Sequence, residues 1–175
     1  MSDNSIVPKV NKLLTAVVII SLIGLFLTAY LTYMHYVAEA RSFCTVDETF
    51  NCDIVNSSEW ASVDLGFVVI PTALLGFGTY LLFLVLSFGV IKDWKFQKIH
   101  KVLRRGNIIT LMRWICIIGF LISLYLTYVE AFVLKAYCFL CLTHQVLILA
   151  ILVIFIVIKG MVDKQKNEGK ICEFC

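Results

Sequence analysis

Whatever chemistry this chain performs is carried by its cysteines, of which there are seven. Cys138-Phe139-Leu140-Cys141 is a C-x-x-C: residues i and i+3 share a helix face, so two sulfurs come within bonding reach. A purely structural cross-link stabilises most when it closes a long loop, and this pair closes almost nothing, so its spacing points to thiol–disulfide exchange. Cys44 and Cys52 have seven residues between them in a polar stretch and cannot share one helical turn. A loop lets them pair or swing apart, as a shuttle requires; the alternative is an ordinary disulfide in a solvated loop. Cys116, alone among Ile115, Ile117 and Ile118, reads as a small core residue. Cys172 and Cys175 in the tail would complete a zinc site only if a second copy or a partner supplied further thiolates; a redox role is the alternative, and neither is assigned.

The elements that must position these sulfurs are membrane helices. The composition, 61% apolar and 15% charged, is not that of a soluble domain. Four apolar runs, about 13–36, 67–91, 108–134 and 140–158, each reach the roughly 20 residues that a helix needs to cross hydrocarbon, and all are too long for barrel strands. The predicted fold is all-α, an integral membrane four-helix bundle over residues 13–158, with a cytoplasmic arm 1–12, an outer loop 37–65 carrying a short interfacial helix, and a cytoplasmic tail 159–175. Lys9 and Lys12, the connection holding Lys92, Lys95, Lys98, Lys101, Arg104 and Arg105, and the tail lysines share a side, while the first loop holds only Arg41 against six acidic residues. The positive-inside rule then places both termini in the cytoplasm and the redox loop outside a multi-pass cell-membrane protein. Lipid headgroups and orientation account for the basic connection, so no nucleic-acid partner is expected. A basic arm, an apolar run and Ala38-Glu39-Ala40 mimic a secretion signal, but the run is too long and is kept as the first helix. Arg113 reads as snorkelling to headgroups, and His35 as an interface residue or a proton donor.

On that topology Cys44, Cys52, Cys138 and Cys141 face a compartment where disulfides persist. The C-x-x-C opens the fourth helix, where unpaired N–H groups and the helix dipole favour a thiolate. Cys138 is expected at the aqueous rim and Cys141 about 4.5 Å further along the axis, facing the bundle interior. An oxidant reached from the lipid side would be membrane-soluble, and a quinone is the obvious candidate. The segment Asp53–Ala61 is expected to form a short amphipathic helix whose Ile54, Val55 and Trp60 cap a pocket at the bundle mouth. The chain also repeats itself: Gly24–Tyr33 lines up with Gly119–Tyr128 about an identical Tyr-Leu-Thr-Tyr. This reads as a duplicated helix hairpin, or else as the outer interface marked twice by aromatic and threonine side chains.

The spaced Cys44/Cys52 pair, Asp53-Ile54-Val55-Asn56-Ser57-Ser58-Glu59-Trp60, Ile70-Pro71-Thr72-Ala73-Leu74-Leu75-Gly76 and Tyr137-Cys138-Phe139-Leu140-Cys141 together resemble the vitamin K epoxide reductase family in its prokaryotic form without a fused thioredoxin domain. The order is specific, since unrelated four-helix quinone enzymes place the C-x-x-C first. The resemblance implies a relay in which the dithiol of a separate thioredoxin-fold (DsbA-like) partner attacks at Cys44, Cys52 exchanges with Cys138, and Cys141 reduces a bound quinone of ubiquinone or menaquinone type. It places Ser58 beside the loop cysteines. Animal members have an aromatic hydroxyl four residues past the second C-x-x-C cysteine; here that position is Gln145, beside His144, and either side chain can donate to a quinone. Thr72, Thr79 and Tyr80 are the candidates for a polar contact from the second helix. No resident metal is implied. The expected role is disulfide formation in exported proteins. The alternatives are quinone or quinone-epoxide reduction for cofactor recycling and, in another class, a non-enzymatic scaffold with two inert disulfides.

Overall fold

The computed structural model describes residues 6–37, 42–64, 66–92 and 105–167; most of the basic connection, and Cys172 with Cys175, lie outside the described residues. Within them the chain forms α1 (Ile6–Tyr36), α2 (Cys52–Asn56), a 3-10 turn (Glu59–Ala61), β1 (Ser62–Asp64), β2 (Val69–Pro71), α3 (Thr72–Ile91), α4 (Arg105–Val129) and α5 (Phe139–Asn167). Four helices are long and apolar enough to cross a membrane, with the third counted through Leu134. The protein is an all-α multi-pass membrane bundle. Its outward faces carry Ile19, Phe26, Trp114, Leu121 and Val146, exposed apolar side chains that lipid would cover.

The helix limits differ from the apolar runs for local reasons. The second helix starts at Thr72 rather than at residue 67, because Pro71 holds its neighbours extended and Val69–Pro71 pairs antiparallel with Ser62–Asp64. The turn between those strands uses Gly66 at φ 80°, its N–H bonded to Asp64 Oδ1 at 2.7 Å. The fourth helix runs past Ile158 to Asn167, where Lys159 pairs with Asp163 at 2.7 Å and Lys164 and Lys166 sit in the last turn. The third helix ends in a widened π-helical turn, Glu130–Leu134, closed by Lys135 in the left-handed region at φ 52°.

In the bundle α1 packs along α3 and α5, α5 packs along α4, and α3 and α4 touch each other little. One core cluster, including Val10, Leu14, Val17, Phe83, Met112, Ile148 and Phe155, fills the bundle away from the loop. Cys116 is buried in it, as a core residue should be, with Sγ 3.9 Å from the Ile148 carbonyl. A second, smaller cluster closes the loop end and contains Leu31, Val55, Ala136, Leu140 and three cysteines, Cys44, Cys52 and Cys138.

Glycine fixes one approach of α3 to α1. A Cβ on Gly24 would lie 2.3 Å from Cζ of Tyr80, so the tyrosine ring occupies the space that a side chain would need. Tyr80 is thereby held fully buried between helices.

Candidate functional site

The loop end is built by stitching a short helix onto the bundle. Asn51 caps α2, its Oδ1 accepting the Ile54 N–H at 3.0 Å, which starts the helix at Cys52 instead of Asp53. Asn56 at the other end donates to the Leu31 carbonyl at 3.0 Å, and His35 Nδ1 donates to the Asn56 carbonyl at 2.7 Å. His35 is therefore an anchor for α2. Asp53 ties the preceding turn down by accepting the Ser42 N–H at 3.1 Å and the Thr45 hydroxyl at 2.8 Å.

Cys44 and Cys52 are joined in a disulfide, with Cα atoms 5.8 Å apart, and both are buried. Cys138 and Cys141 are free thiols. The two couples are brought together by the backbone: Asn51 N–H donates to the Tyr137 carbonyl at 3.1 Å, Tyr137 N–H donates to the Thr49 carbonyl at 2.7 Å, and Phe50 and Tyr137 form a parallel bridge. Cys138 follows Tyr137 directly and Cys52 follows Asn51, so one cystine and one dithiol share the same buried cluster.

The C-x-x-C sits at the start of α5, and Cys138 Sγ accepts the Cys141 N–H at 3.1 Å. This is the contact that a helix N-terminus offers a sulfur carrying negative charge. The expected aqueous rim position of Cys138 is corrected: the docked loop covers it and it is fully buried. Cys141 does face the bundle interior, in the wall of a cavity of about 240 Å³.

Val55, Ser58, Trp60 and Ala61 roof that cavity, Thr28 and Leu31 of α1 and Thr72, Leu75, Gly76 and Thr79 of α3 line one side, and Ile122, Ser123, Leu126 and Thr127 of α4 line the other. The expected cap is present, with one correction. Ile54 is 46% exposed and points away, because a five-residue helix can turn only Cys52 and Val55 inward. Trp60 is held by the Tyr125 ring at 6.3 Å, and Phe43 by the Tyr30 ring at 5.0 Å. Tyr30 and Tyr125 are equivalent positions of the sequence repeat, so one copy holds Phe43 of the loop and the other holds Trp60 of the roof.

The candidate residues separate on this geometry. Cys141, His144, Thr72 and Ser58 line the cavity. The Thr72 hydroxyl donates to the Ala61 carbonyl at 3.0 Å and so fastens the roof to α3. Ser58 spends its hydroxyl proton on the Val55 carbonyl at 2.7 Å, not on a sulfur. Tyr80 does not line the cavity; its hydroxyl lies 3.1 Å from His144 Nδ1, a second layer that orients the imidazole. Gln145 also lies off the cavity, because the helical step past His144 turns it to α4, where Thr127 Oγ1 donates to its Oε1 at 2.6 Å. Among the described residues no cluster of three His, Cys, Asp or Glu side chains could hold a metal.

One residue of the site escaped the sequence reading. Glu130 is 2% exposed, lines the cavity, accepts the Cys138 N–H on Oε2 at 3.1 Å, and is within interaction range of the Cys141 thiol. The signal was present, since a lone acidic residue in an apolar run eight positions before a C-x-x-C marks an expensive burial that needs a reason.

An apolar chamber with one sulfur of a dithiol in its wall, and a cystine docked against the other, can exchange disulfides on one side and give electrons to a lipid-soluble acceptor on the other. The model of the vitamin K epoxide reductase family matches residues 15–156, most of the chain. The chain belongs to that family, and it is a membrane oxidoreductase of the quinone and thiol type.

Proposed function

We propose that this member of the family oxidises the dithiol of a thioredoxin-fold partner and passes the electrons to a membrane quinone, so that its purpose is disulfide formation in exported proteins. The observation that carries the reading is the division of the four sulfurs: Cys44 and Cys52 are a bonded couple in the loop, Cys138 lies behind them in the same cluster, and Cys141 opens into the apolar chamber.

The residues fit a quinone head group. The chamber is of the order of small-molecule sites, which start at about 300 Å³, and its walls are mostly aliphatic. The hydroxyls of Thr28 and Thr79 are committed to helix carbonyls, and the imidazole of His144 is a polar group of the wall that can meet a carbonyl oxygen. When the Tyr80 hydroxyl donates to Nδ1, the other ring nitrogen carries the proton and can donate. When bound, a quinone of ubiquinone or menaquinone type supplies a two-electron, two-proton sink. The protein's part is exchange. A partner thiolate attacks Cys44 and releases Cys52, which attacks an oxidised Cys138–Cys141 couple at Cys138 and displaces Cys141 as a thiolate facing the chamber; the partner's second thiolate then displaces Cys44, leaving the partner oxidised, and Cys44 re-forms its bond to Cys52 as Cys138 is released. The loop then lies on the outer side of the membrane and both termini in the cytoplasm, in keeping with the lysine and arginine bias.

The test is thiol-dependent quinone reduction by purified protein in detergent. Cys138→Ala and Cys141→Ala should each abolish it. Full activity in both variants defeats the assignment.

A further inference from the structure

Glu130 is a buried acid with no part in the relay so far described. Among the described residues it is the only carboxylate lining the chamber, and it reaches both sulfur residues, the Cys138 N–H by a 3.1 Å hydrogen bond and the Cys141 side chain by proximity. Its place is fixed by unusual backbone: the helix widens at Glu130–Leu134, the Glu130 carbonyl accepts the Ala136 N–H at 3.2 Å, and Lys135 closes the turn in the left-handed region. A carboxylate is costly in such a place, and holding one backbone N–H does not require an acid.

We propose that Glu130 is the proton acceptor for Cys141, taking the Sγ proton as the thiol reacts and returning it towards the chamber. The proposal rests on the quinone reading above and deepens it. In the step, the S–H bonds of Cys138 and Cys141 break and their S–S bond forms. Two electrons and two protons leave the pair and convert the two carbonyls of the quinone to hydroxyls, with Glu130 carrying the Cys141 proton and ending the cycle as it began. The ionisable groups facing it are Cys138 and Cys141 from the start of α5, and His144 one turn on; Lys135 ends its own turn, and Asp53 on α2 is engaged with Ser42 and Thr45. The Cys44–Cys52 couple does not titrate while bonded.

An acid and a thiol that share one proton titrate as a pair, so thiolate can form at Cys141 by transfer within the pair and without loss of a proton to solvent. The readout is the rate at which iodoacetamide alkylates Cys141 in the reduced full-length protein, without quinone, followed by mass spectrometry from pH 6 to pH 9. The wild-type rate should level off within that range. In Glu130→Gln, which keeps an acceptor for the Cys138 N–H, the rate should rise about tenfold per pH unit throughout, as for an isolated thiol. Glu130→Asp should keep the levelling. Wild-type protein that climbs tenfold per unit overturns the proposal whether or not a variant folds, and so does a Gln variant whose profile matches wild type. Because no quinone is present, this result is independent of the quinone reading, which the cysteine variants decide.

Discussion

Gly24 offers a quantitative test of how the chamber is held in shape. In Gly24→Ala the new methyl would sit 2.3 Å from Cζ and 2.5 Å from both Cε atoms of Tyr80. Ordinary contact begins near 3.4 Å, so the ring must retreat by about 1.1 Å, and it is fully buried with no open side to move into. Overpacking of this kind costs about 1–3 kcal/mol. The retreat also pulls the hydroxyl from His144 Nδ1, now at 3.1 Å, and a hydrogen bond between membrane helices adds about 0.6 kcal/mol. Tyr80→Phe should lose only that smaller amount. The two substitutions are therefore separable: Gly24→Ala should lower the unfolding midpoint in detergent several times more than Tyr80→Phe, and both should raise the quinone KM because His144 is no longer oriented. In Gly24→Ala/Tyr80→Leu the clash is relieved, so the double variant should be more stable than the sum of the single effects by at least about 1 kcal/mol. Strict additivity, or a Gly24→Ala protein as stable as wild type, would refute the claim that Tyr80 fills the space glycine leaves.

Replacing Cys44 or Cys52 by alanine should block oxidation of a protein dithiol while dithiothreitol still drives quinone reduction through Cys138 and Cys141; equal loss with both reductants would show that the loop couple does not act as a shuttle. Trp60→Ala removes a ring from the chamber roof and should raise the quinone KM severalfold with kcat less affected, read by steady-state kinetics. Lys135→Gly relieves a left-handed lysine that is exposed to solvent and should raise stability by up to about 1 kcal/mol, measured by thermal unfolding; destabilisation would mean that the lysine side chain has a role of its own.

The four spans were legible because they rest on composition. Apolar length fixes the number of spans, and the C-x-x-C spacing fixes where the sulfurs meet. What the sequence hid was register and cover. Pro71 and the β-branched Val69 and Ile70 belong to an apolar run, and only pairing with Ser62–Asp64 shows that they are strand. Cys138 was expected at the rim because its own helix starts there, and the backbone pairing of residues 49–51 with Tyr137 that buries it is a contact across more than eighty positions. Gln145 and Tyr80 are polar residues at helical positions that sequence alone cannot rotate; one hydrogen bond each, to Thr127 and His144, turns them off the chamber. The Asn51 cap, by contrast, was readable from an Asn directly before the helix and was passed over.

The lacing of residues 49–51 to Tyr137 has a kinetic corollary. In the proposed relay, two cysteine couples that are fastened to one another meet at an effective molarity set by the fastening, so hand-over between them is first order. Spreading the protein more thinly through a bilayer leaves that hop untouched. Only the two collisions at its ends, one from water and one from the lipid plane, feel abundance, and each can be throttled by the cell without altering the other.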